Sequence, residues 1–287
     1  MAKPYTEELV HIKAEDDVEL EGLVIRPASG EVKPLPIIWV HGFTGRFYEP
    51  HALAIGRDLA ARGFVFVTGN NRGRDFGSIL RKRATGEESV GGAGWENLEE
   101  SPYDIGAWIT FTTGLGFKEV ALLGHSLGGM KVTYYMATKA DPRVKGLVNA
   151  SGPIWRFIGP APDQVKQAED ALKMVAEGNG RDLMLPWRGP GAGTVSAQRV
   201  TNSLRFHEEL FGSERVQPAA ARITVPFFAF IGTEEEWIGT TADLEALEKV
   251  ATATPRFERA VFQGADHCYV GKEAEVAAAI AGFVDSL

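Results

Sequence analysis

The sequence predicts an α/β fold: a mostly parallel central sheet with helices on both faces, interrupted by one inserted helical cap. Two observations carry this. Short apolar runs alternate with segments of helical periodicity up to residue 151 and again from residue 223. Several of those runs, such as Ile37-Ile38-Trp39-Val40, are apolar at every position, as strands covered on both faces require. A third observation supplies the insertion. Residues 152–222 lose the strand–helix rhythm and are rich in Pro, Gly, Trp and amphipathic pieces. The expected organisation is a core of residues 1–151 and 223–287 with a helical cap at 152–222.

The elements follow in order. Residues 9–13 and 20–26 read as two short strands around an Asp16-Asp17 turn, hence a hairpin. Residues 36–40 form a buried strand that ends in His41-Gly42-Phe43-Thr44-Gly45. Residues 51–62 have helical character and stop at Gly63; residues 64–68 form the next buried strand. The charge- and glycine-rich stretch 72–101 reads as a long loop. Ser101-Pro102 has the pattern of an N-cap followed by proline at the first helical position, and Ile105, Trp108, Ile109 and Thr112 share one face of the helix that follows. Residues 118–123 form a strand, 127–138 a helix and 144–149 a strand. Within the cap, residues 164–176 read as an amphipathic helix. Residues 225–231 resume the sheet, 243–250 are helical, 257–262 form a last strand and 273–287 a last helix.

Composition removes several function classes. The net charge is −8, from 30 basic against 38 acidic residues, so neither nucleic acid nor an anionic membrane is an expected partner. The single cysteine, Cys268, rules out intrachain disulfides and cysteine-based metal sites. The polar N-terminal stretch lacks the apolar segment of a signal peptide, and no window approaches a membrane span. A cytoplasmic protein is expected. No glycine-rich phosphate loop is found, and His207-Glu208 begins a zinc-type helix motif without its second histidine. No cofactor and no metal are expected.

The most informative stretch is VALLGHSLGGM, residues 120–130. Four apolar residues run into Gly124-His125-Ser126-Leu127-Gly128, a G-x-S-x-G pattern at a strand-to-helix junction. There the serine takes a strained backbone conformation at the carboxyl end of the sheet, and a Cβ two residues before or after it would strike neighbouring backbone. The start of the next helix favours negative charge beside the hydroxyl, and the Leu127 N–H is the natural first donor to an oxyanion. A serine nucleophile needs a base. Of the six histidines, His11 lies in the first hairpin, His41 in a turn, His51 at a helix start, His125 on the elbow and His207 in the cap. His267 follows the last strand, on the sheet edge where Ser126 also lies, and is the expected base.

With these motifs the chain resembles the α/β-hydrolase superfamily of serine hydrolases. VALLGHSLGG matches its nucleophile elbow and IIWVHGFTG its turn after the third strand. FVFVTGNNRGRDFG resembles the strand and loop that follow, and FERAVFQGADHCYVGKEAEVAAAI the catalytic-histidine segment and final helix. The NNRGRDFG loop is similar to that of carboxylesterase-like members, including siderophore-esterase relatives. The resemblance implies a second oxyanion donor at the Phe43 N–H and a triad acid in the loop after residues 225–231. The superfamily usually has Asp three residues after that strand's glycine; here the position holds Glu235, flanked by Glu234 and Glu236, and the choice among the three stays open. Trp155 and Trp187 of the cap are expected to line the substrate pocket. The implied activity is cleavage of a small-molecule carboxylic ester through an acyl-enzyme. A thioesterase, lactonase, amidase or carbon–carbon bond hydrolase would use the same residues, and a non-catalytic binding homologue is the reading from another class. Neither substrate nor oligomeric state is legible.

Overall fold

The structure, a computed structural model, describes residues 3–152, 162–184, 194–212, 215–235 and 239–287. The chain opens with β1 (Tyr5–Lys13) and β2 (Glu19–Pro27), an antiparallel hairpin whose turn places Asp17 at φ 71°. Next come β3 (Ile37–Val40), α1 (Pro50–Ala61) and β4 (Phe66–Gly69). A small antiparallel hairpin, β5 (Ser78–Arg81) and β6 (Glu88–Gly91), precedes α2 (Ser101–Gly114). Then follow β7 (Val120–His125), α3 (Leu127–Lys139) and β8 (Val144–Ala150). The inserted stretch holds α4 (Pro162–Ala176), the two-residue strands β9 (Leu183–Met184) and β10 (Val195–Ser196), and α5 (Ala197–Phe211). The chain closes with β11 (Phe227–Gly232), α6 (Thr241–Val250), β12 (Phe257–Phe262) and α7 (Glu273–Asp285).

Among the described residues, eight strands form one sheet in the order β1-β2-β4-β3-β7-β8-β11-β12. β1 and β2 are antiparallel additions; from β4 to β12 every neighbouring pair is parallel. The sheet therefore matches the predicted α/β class. After β3 the chain steps to one side to build β4 and returns to the other side for β7. That reversal opens a crevice beyond the carboxyl ends of β3 and β7, the place where open α/β sheets hold ligands.

The strands are continuous apolar runs because successive side chains feed opposite layers. Ile38, Val67 and Leu122 pack with Trp108 and Ile109 on one face; Trp39, Phe66 and Leu123 pack with Ile55 and Ile280 on the other. Each such side chain, fully buried, contributes ~1.5–3 kcal/mol.

Two local expectations are corrected. The stretch 72–101 is not a plain loop: residues 78–81 pair with 88–91, Arg81 lies opposite Glu88, and Lys82 pairs with Glu87 at 3.0 Å. Cross-strand charge pairing of this kind hides behind a composition that looks like solvated coil. Ser101 is the first residue of α2 rather than its cap; Glu100 occupies the cap position, without a capping hydrogen bond from its side chain.

The inserted helices contribute nothing to the main sheet among the described residues. Ala171 of α4 packs with Val195, Ala197 and Val200 in a small apolar cluster. Phe206 and Leu210, further along α5, pack on Leu127 and Met130 of α3.

Gly69 and Gly22 lie flat against the buried indole of Trp108, whose Nε1–H donates to the Asn70 carbonyl at 3.0 Å. A Cβ at residue 69 would overlap the ring system itself. Gly69→Ala is expected to destabilise the fold by about 1–3 kcal/mol, as overpacking of a closed core does. Urea unfolding measures this; a variant as stable as wild type would show that Trp108 can move away.

Candidate active site

The site is built from five loops at the carboxyl edge of the sheet. Ser126 follows β7 directly and has φ 55°, ψ −129°, a conformation rare for a residue with a Cβ. It is sustained by close packing of three chain segments. A Cβ on Gly124 would fall on the Gly128 carbonyl, a Cβ on Gly128 would fall on the Val40 carbonyl, and a Cβ on Gly42 would lie 2.7 Å from the Ser126 Cβ and 3.1 Å from its Oγ. The Ser126 N–H donates to the Ala150 carbonyl at 2.9 Å, and its own carbonyl accepts from the Gly129 N–H at 2.9 Å. The serine is partly exposed while its neighbours on both sides are buried.

Gly42 and Phe43 leave the adjacent strand β3, so the turn after β3 lies against the elbow. His41 fixes this turn. It is fully buried, its Nε2 accepts from the Asn71 N–H at 2.9 Å, and its Nδ1–H donates to the Gly42 carbonyl at 2.9 Å. Burial first, then the nearby Lys131 charge, pushes its pKa down to about 3. His41 is thus a neutral tie between the turns after β3 and β4. Among the described residues, the Phe43 and Leu127 amides donate to no protein acceptor. The Phe43 side chain packs against both apolar clusters of the inserted helices.

His267 lies in the loop after β12, and its Nδ1 is 3.0 Å from each carboxylate oxygen of Glu235. The Glu235 carboxylate is 2% exposed and the imidazole 16%. Of the three glutamates, Glu235 faces the histidine, Glu234 is exposed, and Glu236 falls outside the described residues. Asp266, beside the histidine, serves its own loop: its Oδ1 accepts from the N–H groups of Cys268 at 3.1 Å and Val270 at 2.9 Å. Among the described residues no hydrogen bond joins Ser126 Oγ to His267. The structure brings the two loops together through the neighbouring residue instead: the rings of His125 and His267 are 4.8 Å apart, and His125 Nε2 is 2.8 Å from the His267 carbonyl oxygen. Hydrogen bonds between nucleophile and base are often loose in free enzymes and tighten on the substrate.

Trp155 and Trp187, expected in the pocket wall, lie outside the described residues, and so does Glu236. Arg72 is structural: it is buried and bonds Asp104, Asp16 and Glu100 at 2.8–3.3 Å. Sequence reading missed two features. His51, Glu49 and His125 crowd behind His267, with His51 Nε2 3.9 Å from Glu49 Oε2. Lys131 and Glu96, both fully buried, pair at 2.5 Å beneath the turn after β3. Lys131 and Glu96 are distant in the chain, as are His51 and His125, so no spacing signals either contact. A polar pocket of about 400 Å³ opens between β6 and α5, lined by Arg72, Trp95, Asn97, Gln198 and Asn202 among others, and includes none of Ser126, Glu235 and His267. Among the described residues no group of three or more His, Cys, Asp and Glu side chains is placed to hold a metal ion, and no helix is long and apolar enough to cross a membrane.

Residues 36–187 match the family model described as alpha/beta hydrolase fold. No curated protein matches the chain. Several solved structures share its architecture. Est1E from Butyrivibrio proteoclasticus, in its ferulic acid complex, is 20% identical with a TM-score of 0.68, covering 96% of this chain and 98% of that one. The Pyrococcus furiosus esterase Pf2001 is 16% identical with a TM-score of 0.62, covering 98% and 93%. The esterase domain of a Rhodothermus marinus protein is 17% identical with a TM-score of 0.60, covering 97% of each chain. At such identities the likeness speaks for the fold.

The buried imidazoles set the acid behaviour of the site. Burial holds His41 at about 3 and His51 at about 4, and holds His125 well below the usual 6.5. The unfolded chain takes up protons on these residues near pH 6.5, whereas the folded chain refuses them. Their stabilisation is complete above about pH 6.5 and is lost as pH falls below it. Glu49 works the other way. Burial raises it to about 7, so the folded chain holds a proton there that the unfolded chain binds only near 4.5. Three imidazoles against one carboxyl leave a net difference of two protons, a loss of about 2–3 kcal/mol per pH unit below about pH 6. Glu49→Gln removes the offset and should steepen the decline. Urea midpoints at about pH 7, 6 and 5 for both proteins check this; a flat profile would contradict it.

Proposed function

The chain belongs to the alpha/beta hydrolase fold family, and from that premise we propose that it is a serine hydrolase cleaving a small carboxylic ester, with Ser126 as nucleophile, His267 as general base and acid, and Glu235 as the carboxylate that orients the histidine. The observation that carries the reading is the convergence of two strained, cross-braced elements at one sheet edge: an elbow serine at φ 55° and an imidazole whose Nδ1 faces a buried glutamate at 3.0 Å. The esterases among its structural neighbours support the substrate class, and the ferulic acid bound to one of them is a small molecule of a size the reading expects.

The mechanism follows from the donors. Glu235 accepts from Nδ1–H, which leaves the Nε2 lone pair of His267 free to take the Ser126 proton. Ser126 Oγ attacks the ester carbonyl. The tetrahedral oxyanion is held by the Phe43 and Leu127 N–H groups, neither of which has a protein acceptor among the described residues. Each well-aimed donor of this kind supplies ~3 kcal/mol to the transition state. The imidazolium returns its proton to the leaving alcohol, the acyl group stays on Ser126, and a water activated by the same imidazole releases the acid. Residues 152–222 act as a cap over this edge.

Two experiments test the assignment. A fluorophosphonate should add one adduct to the intact protein and none to Ser126→Ala; a folded wild type that stays unlabelled would sink the hydrolase reading. Glu235→Gln should keep the fold and lower kcat toward p-nitrophenyl esters by about 10²–10⁴-fold, because the amide no longer fixes the tautomer. Unchanged turnover in that variant, with Glu236→Gln inactive, would move the acid role one residue along.

A further inference from the structure

We infer that His125 is a positioning residue for His267: through its own Nε2–H it clamps the main-chain carbonyl of the proposed catalytic histidine. The inference rests on the hydrolase reading above and adds to it a residue that the triad and oxyanion donors do not include.

Three features of the geometry carry it. His125 ends β7 and is joined directly to Ser126, so its backbone moves with the elbow. Its Nε2 lies 2.8 Å from the His267 carbonyl oxygen. A carbonyl only accepts, so that nitrogen carries the hydrogen, and the Nε2–H tautomer follows from the contact. Its ring is locked from the other sides. Trp39 of β3 stacks on it at 5.5 Å and 24°, His51 of α1 tilts against it at 4.7 Å, and Tyr269 meets it edge-on at 5.7 Å. The ring has little freedom to leave the bond, and burial keeps it neutral, so the donor does not depend on pH near neutrality.

The loop that carries His267 needs such a clamp. It turns through three left-handed backbone positions: Gly264 at φ 67°, Tyr269 at φ 60° and Gly271 at φ 76°. Strained loops persist only where the surroundings over-determine them. Glu235 holds His267 from the side-chain end. The bond from His125 holds it from the main-chain end and ties this residue to the strand that leads into Ser126. A displacement of about 1 Å between nucleophile and base costs on the order of 10²-fold in rate. An aromatic or aliphatic residue at position 125 would fill the same space and leave the carbonyl without its donor.

The test compares His125→Phe, which keeps the packing and lacks the donor, with His125→Gln, whose amide N–H can reach the same carbonyl. The readouts are the rate of fluorophosphonate labelling at Ser126 and the split between kcat and KM on p-nitrophenyl acetate. The Phe variant should label and turn over about 10–100-fold more slowly with KM little changed, and the Gln variant should recover most of that loss. Labelling of both variants at the wild-type rate overturns the inference, and so does an equal loss in both. Nitrogen-15 NMR of the wild-type imidazoles supplies a reading that needs no variant to fold: His125 should be the Nε2–H tautomer, and an Nδ1–H signal overturns the clamp. The control separates the two claims. A wild type that fails to label rejects the hydrolase reading, whereas a labelled wild type matched by the Phe variant rejects the role of His125 alone.

Discussion

The elbow around Ser126 depends on a steric constraint: three backbone segments meet with no space for side chains between them. The end of β3, the end of β7 and the first turn of α3 approach so closely that a single methyl group on Gly42, Gly124 or Gly128 would strike backbone or the Ser126 side chain itself. That closeness holds a non-glycine residue at φ 55°, a position that costs on the order of 1–3 kcal/mol. The same turn and elbow carry the Phe43 and Leu127 amides, neither of which has a protein acceptor among the described residues. The sheet order follows the same requirement. β3 and β7 are neighbours because the chain reverses its direction of growth between them, and the reversal leaves room above their ends for a ligand.

The inserted helices are coupled to this arrangement through one side chain. Phe43 is the residue whose amide is proposed to bind the oxyanion, and its side chain packs against both the apolar cluster holding Ala171, Val195, Ala197 and Val200 and the cluster holding Leu127, Met130, Phe206 and Leu210. A shift of α5 therefore reaches the turn after β3 through this side chain. The Lys131–Glu96 pair beneath the same turn is fully buried, which makes it costly to break and gives the turn a fixed floor.

Much of this was legible in the sequence, and the limits of legibility have physical causes. The α/β class was readable because strands buried on both faces must be continuous apolar runs, and Ile37–Val40, Val120–Leu123 and Phe227–Ile231 have no other stable place. The elbow was readable because its glycines are forced by local sterics. Glu235 was less distinct, since three adjacent glutamates have the same chemistry and only the path of the loop decides which one turns inward. The β5–β6 hairpin is hidden because each strand has four residues and its pairs mix Ile79 opposite Val90 with Arg81 opposite Glu88, too short and mixed a pattern to show alternation. His125 was assigned to the elbow and given no partner. Its carbonyl acceptor lies 142 residues away, and no periodicity or spacing encodes that contact.

A glutamate at position 235, where the resemblance expects an aspartate, is accommodated by the way this loop is tied. The Thr233 N–H donates to the Phe262 carbonyl at 3.0 Å, the Glu234 N–H to the Ala265 carbonyl at 2.9 Å, and the Gly264 N–H to the Thr233 hydroxyl at 2.8 Å. The loops after β11 and β12 are thus laced together just before each delivers its side chain. Acid and histidine sit on one block, and an added methylene in the acid changes a distance inside that block only. Both oxygens of Glu235 end at 3.0 Å from Nδ1, so the extra length is spent on a symmetric approach rather than on strain at the elbow. The remaining freedom lies between that block and the strand carrying Ser126. The His125 ring spans this gap, and for that reason a residue outside the proposed triad governs how well the two halves of that proposed triad meet.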